Sequence, residues 1–567
     1  MQAVSELVLG PMLRYVGASE ATVWLETSAA CEVEILGCRS RTFCVRDHHY
    51  ALVHVTDLEA GGVYEYGVRL DGRPVWPEGG SGSAASGFPP PAIRTFRENG
   101  ALKLTFGSCR ISAPHEPPYN LSRKDDERSL GVDALRATAL AAARRLRDGE
   151  PGELPDVLVL LGDQIYAHKP PFDTMEFIRS RRNPEHEPGE VVRDFEEYAR
   201  LYRDSWGDEA VRWLFSTVPS AMIFDDHELD DDWNISESWV DESRLKPWWN
   251  RQIIGGYASY WLYQHLGNLS PDELARDDLY RKIRTAGESG DAWPVLRDFA
   301  YHAHRTPEGV RWSYHRDFGG VRLVMIDSRG SRVLEEPDRS MLDEATWRWL
   351  DGKTTGDFDH LLLGTSVPLL LGPGMHHLQS WDEALAKGVF GGALARWAER
   401  VRRAQDLDHW PSFRGSFLRL TRLIEAVANG KKARKGRAPA TVTVLSGDVH
   451  HGYVAGAGFP APSDGAQSRV YQAVSSPLRN ALPEEKSRLQ KNAWTKRHRL
   501  AGRLAARLSG AGPDPLTWRL LHPELFFCDQ IATLDLEGRA ARLTFEASAL
   551  DASDRPTLTR LLTLQLS

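Results

Sequence analysis

The chain has 567 residues, 41% of them hydrophobic and 26% charged, with 70 Lys and Arg against 78 Asp and Glu for a formal net charge of −8. That length leaves room for more than one domain, and the negative balance excludes a general nucleic-acid binder, though not a local basic patch. The five cysteines, Cys31, Cys38, Cys44, Cys109 and Cys528, are odd in number and lack paired C-x-x-C spacing, which excludes a zinc-finger reading. The opening residues show no basic segment followed by an apolar stretch, and no uncharged apolar run of about 18 residues follows. A reduced, cytoplasmic protein with neither signal peptide nor transmembrane segment is expected.

The first hundred residues alternate apolar with polar. "SEATVWLETS" (19–28), "CEVEILG" (31–37), "HYALVHVTDL" (49–58) and "GVYEYGVRLDG" (62–72) predict short strands of a small all-β sandwich over 1–97. Cys31, Cys38 and Cys44 fall on these strands as plain thiols. "GRPVWPEGGSGSAASGFPPPAIRTF" (72–96), rich in Gly, Ser and Pro, reads as loop and linker. A second domain is expected over 98–567.

There the pattern changes to continuous apolar strands, each followed by a chemically loaded residue. "ALKLTFGSCR" (101–110) ends on Ser108, Cys109 and Arg110, and "PDVLVLLGDQIYA" (155–167) on Gly162 and Asp163, with Tyr166 three residues later. "PSAMIFDDHE" (219–228), "VRLVMIDSRG" (321–330), "FDHLLLGTSVPLL" (358–370) and "ATVTVLSGDVHHGYV" (440–454) follow. Such strands with helices between them indicate an α/β sheet buried on both faces, whose ligands collect at the C-terminal strand edge.

"MIFDDHELDDDWN" (222–234) crowds six carboxylates around His227, and Asp225 and Asp226 sit directly against an apolar run. Two carboxylates about 4 Å apart repel by roughly 4 kcal/mol at an intermediate dielectric, so a positive charge is required. Bound cations supply it in this reading. Asp163 suits a bridge between two ions, Asp226 the second and harder ion, and Asp448 and His450 leave one strand end on the same side, within reach of both. Cys109 as thiolate and Tyr166 as phenolate suit a trivalent iron better than magnesium or calcium. His227, between Asp226 and Glu228, is a candidate proton donor to a leaving-group oxygen. His451 points away and reads as structural.

"FGSCR", "LGDQIYA", "FDDHELDDDWN", "GTSVP" and "SGDVHHGY", in this order, resemble the alkaline phosphatase D (PhoD-like) branch of the metallophosphoesterases. The resemblance covers most of 98–480. It implies a four-layer α-β-β-α metallophosphatase sandwich, with 1–97 similar to that family's N-terminal fibronectin- or immunoglobulin-like domain. It also implies a metal-dependent phosphoesterase, in which a metal-bound water or hydroxide attacks the phosphorus of a phosphate monoester or diester. By match, Cys109, Asp163, Tyr166 and His450 hold Fe3+, and Asp163, Asp226 and Asp448 hold Ca2+, with Mn2+, Mg2+ or Zn2+ as alternatives for the second ion. His227 carries over as proton donor or phosphate-binding group. Some relatives follow the bridging aspartate with a phosphate-gripping arginine. Gln164 stands there in this chain, and Arg110, Arg329 and Arg479, each after an expected strand end, are the substitutes for substrate binding. The alternative is a binding or regulatory protein of the same fold that recognises a phosphorylated ligand with little turnover.

Three further stretches carry expectations. Trp261 and Tyr263 in 238–267 read as helix core, whereas Trp248 and Trp249 are candidates for a substrate mouth. His376 and His377 follow the Gly-Thr-Ser-Val-Pro loop and are expected near the metals. The basic segment 484–510 reads as one helix that packs Leu489, Leu500, Leu504 and Leu508 on the core and shows its charges to water, with docking on an anionic membrane or steering of a polyanionic substrate as the alternatives.

Overall fold

All six apolar strands form, and they divide between two sheets. Leu102–Gly107, Val157–Leu161 and Ser220–Ile223 run parallel in one half of a six-stranded sheet. Its other half is antiparallel and comes from the C-terminus: Gln530–Glu537 pairs with Leu102–Gly107, and Ala540–Leu550 and Pro556–Gln565 follow. The tail, whose "IATLDLEG" and "ARLTFEAS" alternate apolar with polar, thus supplies three strands. Val321–Ile326, His360–Thr365, Thr441–Ser446 and Arg469–Val474 run parallel in a seven-stranded sheet with antiparallel strands at both edges. The computed structural model describes residues 4–77, 87–97, 100–149, 154–306, 309–459 and 468–567.

Alternation along the second sheet shows why its strands are apolar on both sides. Leu323, Met325, Leu362 and Leu445 join Leu104, Phe106, Leu158 and Leu160 of the first sheet in one core. Their neighbours Val324, Ile326, Leu361, Leu363, Val442 and Val444 face the other way, into a core with Trp347, Phe417 and Leu420 of two covering helices. Successive side chains point to opposite faces of a strand, so a sheet with cores on both sides needs unbroken hydrophobic runs.

The all-β region has two four-stranded sheets and a two-stranded pair. Val23, Leu25, Ala51 and Val53 fill its own core, while Trp24 and Leu52, one residue out of phase, enter the main core. Arg14 fastens this contact. Fully buried, it donates to the carbonyls of Tyr263 and Gln264 at 2.9 and 2.6 Å and to Asn268 Oδ1 at 3.2 Å. The stretch expected as linker contains the strands Arg73–Trp76 and Ala92–Arg94, while 78–86 and the expected boundary at 98 lie outside the described residues.

Trp261 and Tyr263 are buried in a π-helical turn that continues the helix Trp249–Tyr260. Trp249 is also wholly buried, its ring edge-on to Trp239, so it lines no mouth. The basic segment forms two helices, Glu484–Ala493 and Lys496–Leu508, separated where Thr495 caps the second. Its leucines reverse the expected packing: Leu489, Leu500, Leu504 and Leu508 are 63%, 71%, 59% and 73% exposed. The helix instead rests on its neighbours through small residues, because Gly502 and Ala506 occupy the inward side. No helix among the described residues is long and apolar enough to cross a membrane.

Replacing Arg14 with Met takes this donor from the buried carbonyls of Tyr263 and Gln264 and leaves Asn268 Oδ1 only the Met222 N–H, at a cost on the order of 2–3 kcal/mol. Thermal unfolding followed by near-ultraviolet circular dichroism should show a clear fall in Tm; an unchanged midpoint would remove Arg14 as the fastening.

Candidate metal centre

The parallel strands of both sheets deliver their C-terminal ends to one hollow. Four residues there adopt left-handed backbone: Cys109 at φ 58°, Asp163 at 55°, Asp448 at 67° and His450 at 52°. That conformation costs a non-glycine residue roughly 1–2 kcal/mol, and such outliers gather where surrounding structure enforces a functional geometry. Gly162, at φ 98°, allows the closest approach: a Cβ there would lie 2.6 Å from Asp225 Cβ.

Hydrogen bonds knit the turns together. Cys109 N–H donates to Gly162 O and Arg110 N–H to Asp163 O, at 3.2 and 2.8 Å, while Arg479 N–H donates to Cys109 O at 3.1 Å. The Glu228 carboxylate accepts from the N–H groups of Asp163, Gln164 and Asp225 at 3.0, 2.8 and 2.9 Å. Burial pushes that carboxyl up to about 7 in spite of these donors.

Ligand atoms of Cys109, Asp163 and His450 all lie within 4.8 Å of one another. Tyr166 O–H stands 3.4 Å from Asp163 Oδ2, and Asn480 Nδ2 lies 3.2 Å from the Tyr166 oxygen and 3.5 Å from His450 Nε2. Asp163 Oδ1 is buried without a hydrogen-bond partner. Burial first, then the surrounding carboxylates, pushes the Asp163 carboxyl well above its usual range, and burial with Asp163 and Asp448 does the same to the Cys109 thiol. Burial and then His227 lower His450 to about 3, leaving a neutral imidazole. An orphaned carboxylate oxygen, a thiol, a phenol and a neutral histidine converging in a negative hollow fit a cation, which would deprotonate the thiol.

The second group of acids already carries a positive charge. Arg329, 1% exposed, pairs with Asp225 and Asp408, and its Nη2 lies 3.5 Å from Asp226 Oδ1 and 3.3 Å from Asp448 Oδ1. Asp448 Oδ2 is 2.8 Å from His409 Nε2. Burial would raise the Asp448 carboxyl, but His409 and Arg329 outweigh it and hold it below its usual range. Part of the crowd, Asp225 and Asp226, thus has a guanidinium about a hundred residues away as its counter-charge, whereas the sequence reading assigned that task to ions alone. Asp226 retains a second set of neighbours, since its ligand atoms also lie within 4.8 Å of those of Asp163 and His227. Within that trio the Asp163 and Asp226 carboxylates fit a second cation, with the His227 ring beside them.

The three arginines expected to grip phosphate are each engaged elsewhere. Arg110 is buried on Asp133 at 2.7 Å and donates to Ser205 O at 2.6 Å. Arg479 is buried with its guanidinium on the carbonyls of Ala113, Pro114, Tyr119 and Gly131. Arg329 serves its carboxylates. Their position after strand ends suggested the role, but each has all three guanidinium nitrogens on acceptors that the sequence places far away.

His227 stands near the opening with its side chain 13% exposed, its Nε2 4.0 Å from Asp163 Oδ2 and its Nδ1 3.4 Å from Asp231 Oδ1. Its ring stacks on Tyr166 at 4.3 Å and meets His168 at 4.7 Å. His376 and His377 are committed to Asp514, at 3.6 and 3.5 Å, and to the Trp518 ring. His451 is buried, its Nδ1 2.7 Å from Val449 O. Sequence reasoning missed Asn480, the residue after Arg479; its side chain turns toward the hollow while that of Arg479 turns away. His409 carried no signal beyond the acids of "DLDHW" (406–410).

Strand ends gather sulfur, oxygen and nitrogen donors that could hold a metal ion at the rim of a mixed α/β core. The chain belongs to the PhoD-like phosphatase family, whose profile matches residues 139–501. Residues 4–92 match a domain family of unknown function, DUF7800. The solved structure of PhoD superposes with a TM-score of 0.58 over 99% of this chain and 90% of that chain at 12% identity, a likeness of fold. No curated protein sequence matches the chain. Family membership makes phosphate esters the expected substrate class.

Arg329→Met leaves Asp225 and Asp408 without their counter-charge. Removing one partner of a buried ion pair costs about 3–5 kcal/mol, so this variant should melt well below wild type when both are treated with chelator. Equal midpoints would mean that other groups neutralise the acids.

Proposed function

We propose that this protein is a metal-dependent phosphoesterase that hydrolyses phosphate monoesters, diesters or both. Convergence of Cys109, Asp163, Tyr166 and His450 on one hollow, with Asp163 Oδ1 orphaned, carries the reading. In this reading these four residues hold an Fe3+-type ion. Asp163 and Asp226 hold the second ion, Ca2+ or alternatively Mn2+, Mg2+ or Zn2+. Asp448, with its oxygens near Arg329 and His409, orients this second group rather than serving as its sole extra ligand. Bound cations in such a centre supply charge to the phosphoryl oxygens and an activated nucleophile. The two sheets with their covering helices are the inner and outer layers of the α-β-β-α sandwich that the family resemblance implies.

The chain's own residues then have separate tasks. Glu228 fixes the turns that aim Asp163 and Asp225. Asn480 orients the Tyr166 oxygen and His450. His227 delivers a proton from Nε2 to the leaving-group oxygen, while Asp231 at Nδ1 holds the ring in orientation. Lys169, exposed beside His168 and within electrostatic reach of Asp231 and His450, is the cation left to attract an approaching phosphate, a role the buried arginines cannot fill.

Elemental mass spectrometry on protein purified without chelator, paired with turnover of p-nitrophenyl phosphate and bis-p-nitrophenyl phosphate, tests the reading. Iron with a second metal and hydrolysis of either ester supports it; absence of both metal and turnover after reconstitution favours the binding-protein alternative. His227→Ala should lower kcat about 10²- to 10⁴-fold with metal content unchanged, and lost metal would make His227 a ligand. Asp163→Asn should remove metal and activity together. Cys109→Ser should abolish a visible charge-transfer band, and a colourless active wild type would overturn the iron assignment.

A further inference from the structure

The basic helices carry a surface that the metal centre does not use. Fourteen large apolar side chains are exposed among the described residues, and eight of them fall between 389 and 508, including Phe390, Trp397, Leu489, Leu500, Leu504 and Leu508. Both Gly392–Ala404 and Lys496–Leu508 pack against the helix Pro373–Ala386, so these side chains belong to one helical layer.

Orientation of the last helix is fixed by its small residues. A Cβ on Gly502 would meet His377 Cβ at 2.9 Å, and one on Gly374 would meet His498 Cβ at 2.8 Å. The side bearing His498, Gly502 and Ala506 therefore faces inward. Leu500, Leu504 and Leu508, spaced by four, form a stripe on the opposite side. Burying one of these residues by rotating the helix would break the close glycine contacts.

Charge accompanies the stripe. From 486 to 510 the sequence has eight Lys and Arg and no Asp or Glu, in a chain whose formal net charge is −8. Arg497 and Arg499 make no ion pair among the described residues, whereas most arginines of the protein are paired with carboxylates or carbonyls. An outward leucine stripe flanked by free guanidinium groups has the chemistry of an interfacial helix. Leucines enter the acyl boundary while long cationic side chains reach back to phosphates. A second copy of the chain would bring like charges together, and nucleic acid gains little from leucines.

We propose that the Lys496–Leu508 helix, with Leu489, docks this protein on anionic lipid surfaces. The inference stands independently of catalysis.

Co-sedimentation of the full-length protein with vesicles of phosphatidylcholine alone, or mixed equally with phosphatidylglycerol, tests it at low and high salt. Wild type should pellet with the anionic vesicles only, and high salt should weaken binding by screening. Leu500→Ser/Leu504→Ser/Leu508→Ser should reduce binding at least about tenfold while the Tm holds, because these side chains are already in water. Arg497→Gln/Arg499→Gln should weaken binding without altering phosphatase turnover. No pelleting, equal pelleting with both lipids, or binding untouched by the leucine substitutions would overturn the proposal. So would self-association of wild type, in the absence of lipid, that the leucine substitutions abolish; the surface would then be an interface between copies.

Discussion

A crowd of buried carboxylates at the meeting of two sheets governs the rest of this architecture. Asp163, Asp225, Asp226, Asp408 and Asp448 share a hollow in which like charges repel strongly and water is scarce. Arg329 lies among four of them and is sealed from solvent, and it helps to hold Asp226 and Asp448 below the usual carboxylate range, while burial still pushes Asp225 and Asp163 above it. One guanidinium cannot neutralise five carboxylates. The deficit falls on Asp163, which has a bare oxygen and a soft thiol close by, and this is where the proposed cation would sit.

Around this centre the sheets act as a frame. Parallel strands bring their C-terminal ends to one edge, and their apolar middles need cores on both faces. The same strands therefore anchor the hollow and hold the molecule together. The all-β region adds to this frame through Trp24 and Arg14, which reach into the main core from strands whose other faces make a core of their own.

Much of this was legible in the sequence. Unbroken runs such as "VLVLL" demand double burial, and the residue after each run falls at the strand edge by geometry alone. Hence Cys109, Asp163 and His450 could be grouped from spacing and chemistry. The arginine roles could not, because Arg110, Arg329 and Arg479 are defined by acceptors at Asp133, Asp408 and Ala113, which no local pattern joins to them. Leu500, Leu504 and Leu508 were misread for a related reason. Helical periodicity identifies a stripe but leaves open which side meets the protein, and here the glycines decided it.

The left-handed turns at Cys109, Asp163, Asp448 and His450 have a consequence for how such a chain can change. Glycine would relax each of these positions, and selection for thermal robustness alone would favour that exchange. Each exchange would also delete a donor atom. Robustness and ligand binding are therefore opposed at these four positions, while elsewhere in the cores they favour the same residues. Variants raised for heat tolerance can be expected to improve the sheets, the caps and the surface, and to leave this small strained ring untouched.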